Sequence, residues 1–194
     1  MHDRKASPNV NAPQPLRVLL DGIDRLGRLD GWIGGLCLAA LTCLMLAEVI
    51  VRSLSLVVPW VPGDIPVAWE YSSYLMAATF TFGAAMTLRA GGHIRVSLLT
   101  GRVGPGARRA IELVLALIGV VFVGFLAMAM TSFTWEAYVR GRTSDTSGTR
   151  LWLPAAAIAF GMCLLALQFV ARAIQAALGL PLEDQRMRSG APVE

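Results

Sequence analysis

Four long runs of apolar residues constrain this chain more than any other feature. They are, roughly, Trp32–Val51, Val67–Leu88, Ile111–Val139 and Leu151–Leu178. About 18 or more apolar residues in a row, rising 1.5 Å per residue as a helix, match a hydrocarbon core about 30 Å thick. In hydrocarbon every backbone N–H and C=O needs a partner inside its own segment, and a helix supplies one. The expected fold is therefore an all-α integral membrane protein with four transmembrane helices. With their flanks, the spans are expected at about 32–52, 66–88, 109–139 and 151–178. Little of the 194-residue chain remains for a globular domain.

The segments outside the runs have their own character. Residues 1–15 are polar, hold Pro8, Pro13 and Pro15, and contain no apolar core of the kind a signal peptide needs. They are expected to form a disordered tail. Over 16–30, Leu16, Leu19, Leu20, Ile23, Leu26 and Leu29 recur at helical spacing, and Asp21, Asp24, Arg25 and Arg28 fill the other face. That pattern predicts an amphipathic helix lying on the membrane surface before the first span. The first connector carries Pro59, Pro62, Gly63, Asp64 and Pro66, which stop helix continuation. Residues 16–180 thus form the membrane domain, and 181–194 a short polar C-terminal tail.

Basic residues orient the spans. Lys5 is the only lysine, so arginine supplies nearly all the positive charge. With the N-terminus inside, the cytoplasmic segments hold Arg4, Lys5, Arg17, Arg25, Arg28, Arg89, Arg95, Arg102, Arg108, Arg109, Arg172, Arg186 and Arg188. The outer segments hold only Arg52, Arg140, Arg142 and Arg150. Loops rich in arginine and lysine stay in the cytoplasm, so both termini are expected there. Trp60, Trp69, Trp135 and Trp152 then fall at the outer interface and Trp32 at the inner one. The arginines flank membrane runs, which argues against nucleic acid as the partner of a chain of net charge +4.

The chemistry-bearing residues are few. Cys37, Cys43 and Cys163 all lie within apolar runs, lack C-x-x-C spacing, and read as small hydrophobes. The two histidines, His2 and His93, lie outside the spans, so no haem ligands, metal site or cofactor is expected between helices. No nucleotide-binding or hydrolase motif occurs, and no enzyme activity is expected. Ionisable groups inside spans are costly and default to functional candidates. Glu48 with Arg52 at i+4, Glu70, and Glu136 with Arg140 at i+4 all sit near outer span ends, and Glu112 near an inner one. None is near mid-membrane, where a proton-coupled carrier usually keeps its carboxylate. Ser73, Ala77, Thr81 and Ala85 recur every four residues, a small-residue stripe that permits close helix approach.

The stretch Trp69–Leu98 resembles the small membrane subunit (DctQ-like) of tripartite ATP-independent periplasmic (TRAP) transporters. The matching residues are Trp69, Glu70, Gly83, Ala84, Arg89, Gly92, His93 and Ile94, followed in the last span by Pro154, Gly161, Leu164, Leu165, Gln168 and Arg172. The chain departs from the family pattern at Tyr71 and near Ser97, where acids are common. The resemblance implies a non-catalytic subunit of the bacterial inner membrane. It would brace a large membrane subunit during sodium-coupled uptake of an organic acid anion delivered by a periplasmic substrate-binding protein. Glu48, Arg52, Trp69, Glu70, Ser73, Ala77, Thr81, Gly83, Ala85, Arg89 and His93 are the expected subunit-interface residues. Membrane lipid is the other expected partner. The competing readings are a self-sufficient small four-helix carrier and the membrane anchor of a redox enzyme. The depth of the carboxylates argues against the first, and the histidine count against the second.

Overall fold

The computed structural model describes residues 13–89 and 104–180. Across them the chain is all-α, with four helices in order: α1 (Gln14–Ser55), α2 (Ala68–Arg89), α3 (Pro105–Val139) and α4 (Trp152–Leu178). Three of them, α1, α3 from Arg109 onward, and α4, are long and apolar enough to cross a membrane. The 22-residue α2 is about 33 Å long at 1.5 Å per residue. It carries more hydroxyls, among them Ser72, Ser73, Thr79, Thr81 and Thr87.

Local chemistry sets the helix ends. Proline occupies the first turn of α1 and of α3, where its missing N–H costs nothing. At the far end of α4, Gly179 adopts a left-handed φ of 68°. Leu180 N–H then reaches back to the Gln175 carbonyl at 2.9 Å, closing the helix as glycine caps commonly do.

The surface helix expected over 16–30 is not a separate element. It is the first part of α1, which runs unbroken for 42 residues, about 63 Å. The residues change in polarity near Trp32, but no proline interrupts the hydrogen-bond ladder there, and sharp kinks almost always need such a cause. The expected apolar stripe is also divided. Leu20 and Ile23 are buried, together with Asp24, Gly27, Asp30 and Gly34, whereas Leu19, Leu26 and Leu29 point outward. Asp30 is 1% exposed, and neither of its carboxylate oxygens has a hydrogen-bond partner among the described residues.

The helices pair as α1 on α2 and α3 on α4, with α4 also packed against α2 and more lightly against α1. Small residues permit the closest approaches. A Cβ added at Gly34 would stand 2.9 Å from the Gly83 backbone nitrogen. One added at Gly161 would stand 2.9 Å from the Thr81 hydroxyl. Gly31 faces Met86, and Gly119 faces the Phe169 ring. Two apolar clusters complete the packing: Ala85, Leu88, Val123 and Leu165 join α2, α3 and α4, and Leu20, Ile23, Ala171 and Leu180 join α1 to α4. Much apolar surface stays outward, including Val121, Phe122, Phe125 and Met128 on α3.

Candidate functional site

Both interhelix connections described, α1–α2 and α3–α4, lie at one end of the bundle, and Glu48, Glu70 and Glu136 gather there. Glu48 is buried on α1. Its Oε2 accepts the backbone N–H of Ile65 at 2.8 Å, which ties the proline-rich connector to the helix. Its Oε1 lies 3.7 Å from the exposed Arg52 guanidinium, one turn on. A backbone donor on a buried carboxylate is a strong, charge-assisted contact, whereas the pair with an exposed arginine contributes little.

Glu70 does different work. Its Oε1 accepts the Tyr74 hydroxyl at 2.7 Å and the Ser147 hydroxyl at 3.0 Å. Ser147 belongs to the α3–α4 connector, which forms a small hairpin. Thr143 pairs with Arg150 in an antiparallel bridge, and Gly141 and Gly148 supply left-handed turns at φ 60° and 67°. The Tyr71 hydroxyl adds a 2.9 Å bond to Thr149. The start of α2 thus grips the hairpin through Glu70 and Tyr71. Glu136 is held by Arg140 at 3.1 Å and Arg142 at 2.9 Å.

Two polar side chains of α4 join helices nearer the other end. The Gln168 amide donates to the Ile23 carbonyl of α1 at 2.8 Å, in a buried setting. The Arg172 guanidinium donates to the Leu88 carbonyl at 2.7 Å, satisfying one of the last carbonyls of α2. The Arg109 guanidinium fills the space where a Cβ at Gly179 would stand, beside the negative end of the α4 dipole.

The expected interface residues therefore separate into groups. Glu48 with Arg52 and Glu70 with Tyr74 form two local arrangements, with no bond between them among those described. Thr81 and Ala85 are buried in packing within the chain, and Gly83 lies against Gly34. Trp69 and Ser73 are exposed on α2, and Ala77 is half-buried. Arg89 ends α2, and His93 lies outside the described residues.

A family model described as tripartite ATP-independent periplasmic transporters, DctQ component, matches residues 41–179. The chain belongs to this family. No curated protein and no solved structure is a match. DctQ membership makes the chain the small membrane component of a TRAP transporter. The match begins about two thirds of the way along α1 and ends at the Gly179 cap of α4, so the last part of α1 and the whole of α2, α3 and α4 lie within it.

Sequence reasoning did not single out Tyr71, Ser147, Thr149, Gln168 or Arg172 as positioning residues. For Gln168 and Arg172 a signal existed. Polar side chains within an apolar run are expensive unless they meet a partner. For the hairpin no such signal existed, because serine and threonine are ordinary in any connector.

Proposed function

We propose that this DctQ-type subunit is non-catalytic and braces the large membrane subunit of its transporter. In this reading it crosses the inner membrane four times with both termini in the cytoplasm. The complex takes up an organic acid anion, delivered by a periplasmic binding protein and coupled to sodium entry. The observation that carries the bracing role is where the polar side chains are engaged. Glu48 fixes a connector, Glu70 and Tyr71 grip a hairpin, and Gln168 and Arg172 join helices. These contacts stiffen a scaffold whose outer surface is apolar.

The partner-facing surface on α2 is narrower than the full set of expected residues. Trp69, Ser73, Met76 and Phe80 recur at helical spacing and are all exposed, a stripe suited to a membrane partner. Ala77 borders it. Arg52 and Glu70 lie near the same end, and the buried Thr81, Gly83 and Ala85 would act by setting helix spacing beneath it.

Two experiments test this. Proteoliposomes with this subunit alone should show no substrate uptake under a sodium gradient, with binding protein present, and uptake should require the large subunit. Clear uptake by the lone subunit refutes the bracing role. Thiol labelling by an impermeant reagent should reach a cysteine at Ser147 from the periplasm and not one at Ser97, and the reverse pattern refutes the orientation.

A further inference from the structure

The first half of α1 carries three sectors rather than two. At about 100° per residue, Leu20, Ile23, Gly27, Asp30 and Gly34 line the side buried in the bundle. A second sector, exposed, holds Val18, Leu19, Leu26, Leu29 and Ile33 and runs on to Leu36. A third, beside it, holds Arg17, Asp21, Arg25 and Arg28, with Trp32 in the same sector. Arg17 is partly engaged by Asp21 at 3.8 Å, and Arg25 and Arg28 are exposed.

Length places this segment at a membrane surface. From Ser55 back to Trp32 the helix climbs about 35 Å, slightly more than one hydrocarbon thickness of about 30 Å. Trp32, 77% exposed, therefore stands at headgroup depth, where tryptophan is favoured. The turns before it hold apolar and cationic sectors side by side. Phospholipid presents the complementary pair, acyl chain beside phosphate. Exposed apolar area of this extent calls for a covering partner, and the arginines next to it select an anionic one.

We propose that the outward face of α1 from Arg25 to Leu36 is a binding site for anionic phospholipid of the inner leaflet. Acyl chain lies along Ile33 and Leu36, on the membrane side of Trp32, and the headgroup phosphate is held by Arg25 and Arg28, which reach back from the turns before it. The leaflet rests on the cytoplasmic placement of the N-terminus given under Proposed function, whereas the lipid contact itself does not.

The test uses the full chain, with Cys37, Cys43 and Cys163 replaced, in lipid nanodiscs. A fluorophore is attached at Leu36→Cys, and acyl-chain spin-labelled phosphatidylglycerol or phosphatidylcholine serves as quencher. The expected result is quenching by both lipids, with phosphatidylglycerol enriched roughly fivefold for each arginine, the factor typical of a membrane-proximal basic residue. Arg25→Gln with Arg28→Gln, or high salt, should abolish that preference and leave quenching by phosphatidylcholine intact. No quenching at Leu36 overturns the proposal. Equal quenching by the two lipids overturns the anionic selectivity and so the proposal. Loss of quenching when the large subunit is co-reconstituted assigns the face to protein and also overturns it. Thiol accessibility at Ser147 in the same background reports orientation separately, so a reversed topology and an absent lipid site give different results.

Discussion

The contact between Gly34 and Gly83 yields the sharpest test of the helix packing. Replacing Gly34 by alanine places a methyl 2.9 Å from the Gly83 nitrogen and 3.3 Å from the Gly83 Cα and the Phe82 carbonyl carbon. All three are backbone atoms of α2, and none can rotate away. The helices must separate, an overpacking cost of about 1–3 kcal/mol. Gly35, the next residue, provides the control, since a Cβ there meets nothing within 4 Å. Both substitutions gain the same helix propensity, about 0.5–1 kcal/mol over glycine. The difference between the two variants therefore isolates the steric part. Gly35→Ala should match or exceed the parent in stability, and Gly34→Ala should fall about 1–3 kcal/mol below Gly35→Ala. Gly161→Ala should cost less than Gly34→Ala, because its nearest obstacle is the Thr81 hydroxyl, which can turn, and the fixed Thr81 Cβ stands farther off, at 3.1 Å. Denaturant titration of the purified subunit in mild detergent, followed by helix-sensitive circular dichroism, measures this. If Gly34→Ala and Gly35→Ala unfold alike, α1 and α2 do not touch at Gly34, and the packing described is wrong.

Three further outcomes follow from the polar contacts. Glu48→Ala should destabilise by about 1–3 kcal/mol, because it strands the Ile65 N–H; Arg52→Ala should stay within about 0.5 kcal/mol, and comparable losses from both would show that the ion pair, not the backbone clamp, matters. Gln168→Leu should cost about 0.6–1.7 kcal/mol, the range for hydrogen bonds between membrane helices, and should weaken disulfide trapping between cysteines placed on α1 and α4; unchanged trapping and stability would remove the Ile23 contact. Asp30→Asn should stabilise the subunit by about 1 kcal/mol or more, since a neutral amide is cheaper to bury unpaired than a carboxylate; a lowered unfolding midpoint would show that the charge has a partner.

The sequence by itself determined the class of fold and the family. Long apolar runs leave helices as the way to satisfy the backbone in lipid within each segment, so the all-α architecture and the approximate helix positions are legible in the residues alone. The Trp69–Glu70 start, the Gly83–Ala84 pair and the Gln168…Arg172 spacing pointed to the DctQ family, which the match over residues 41–179 established. Periodicity along one helix, however, shows only which residues share a face. It does not show which face meets which neighbour. The Leu16–Leu29 stripe therefore predicts one apolar face, whereas packing divides it, turning Leu20 and Ile23 inward with Asp24 and Asp30 and leaving Leu26 and Leu29 outside. The same limit applies to α2. Spacing marks Thr81 and Ala85 as part of a small-residue stripe that lets a helix approach, and only tertiary packing shows that the neighbours are α4 and the chain's own core. The Glu70–Ser147 bond joins residues 77 apart, and the Gln168–Ile23 bond residues 145 apart. No local pattern encodes such pairs, because they depend on how the helices are arranged in space.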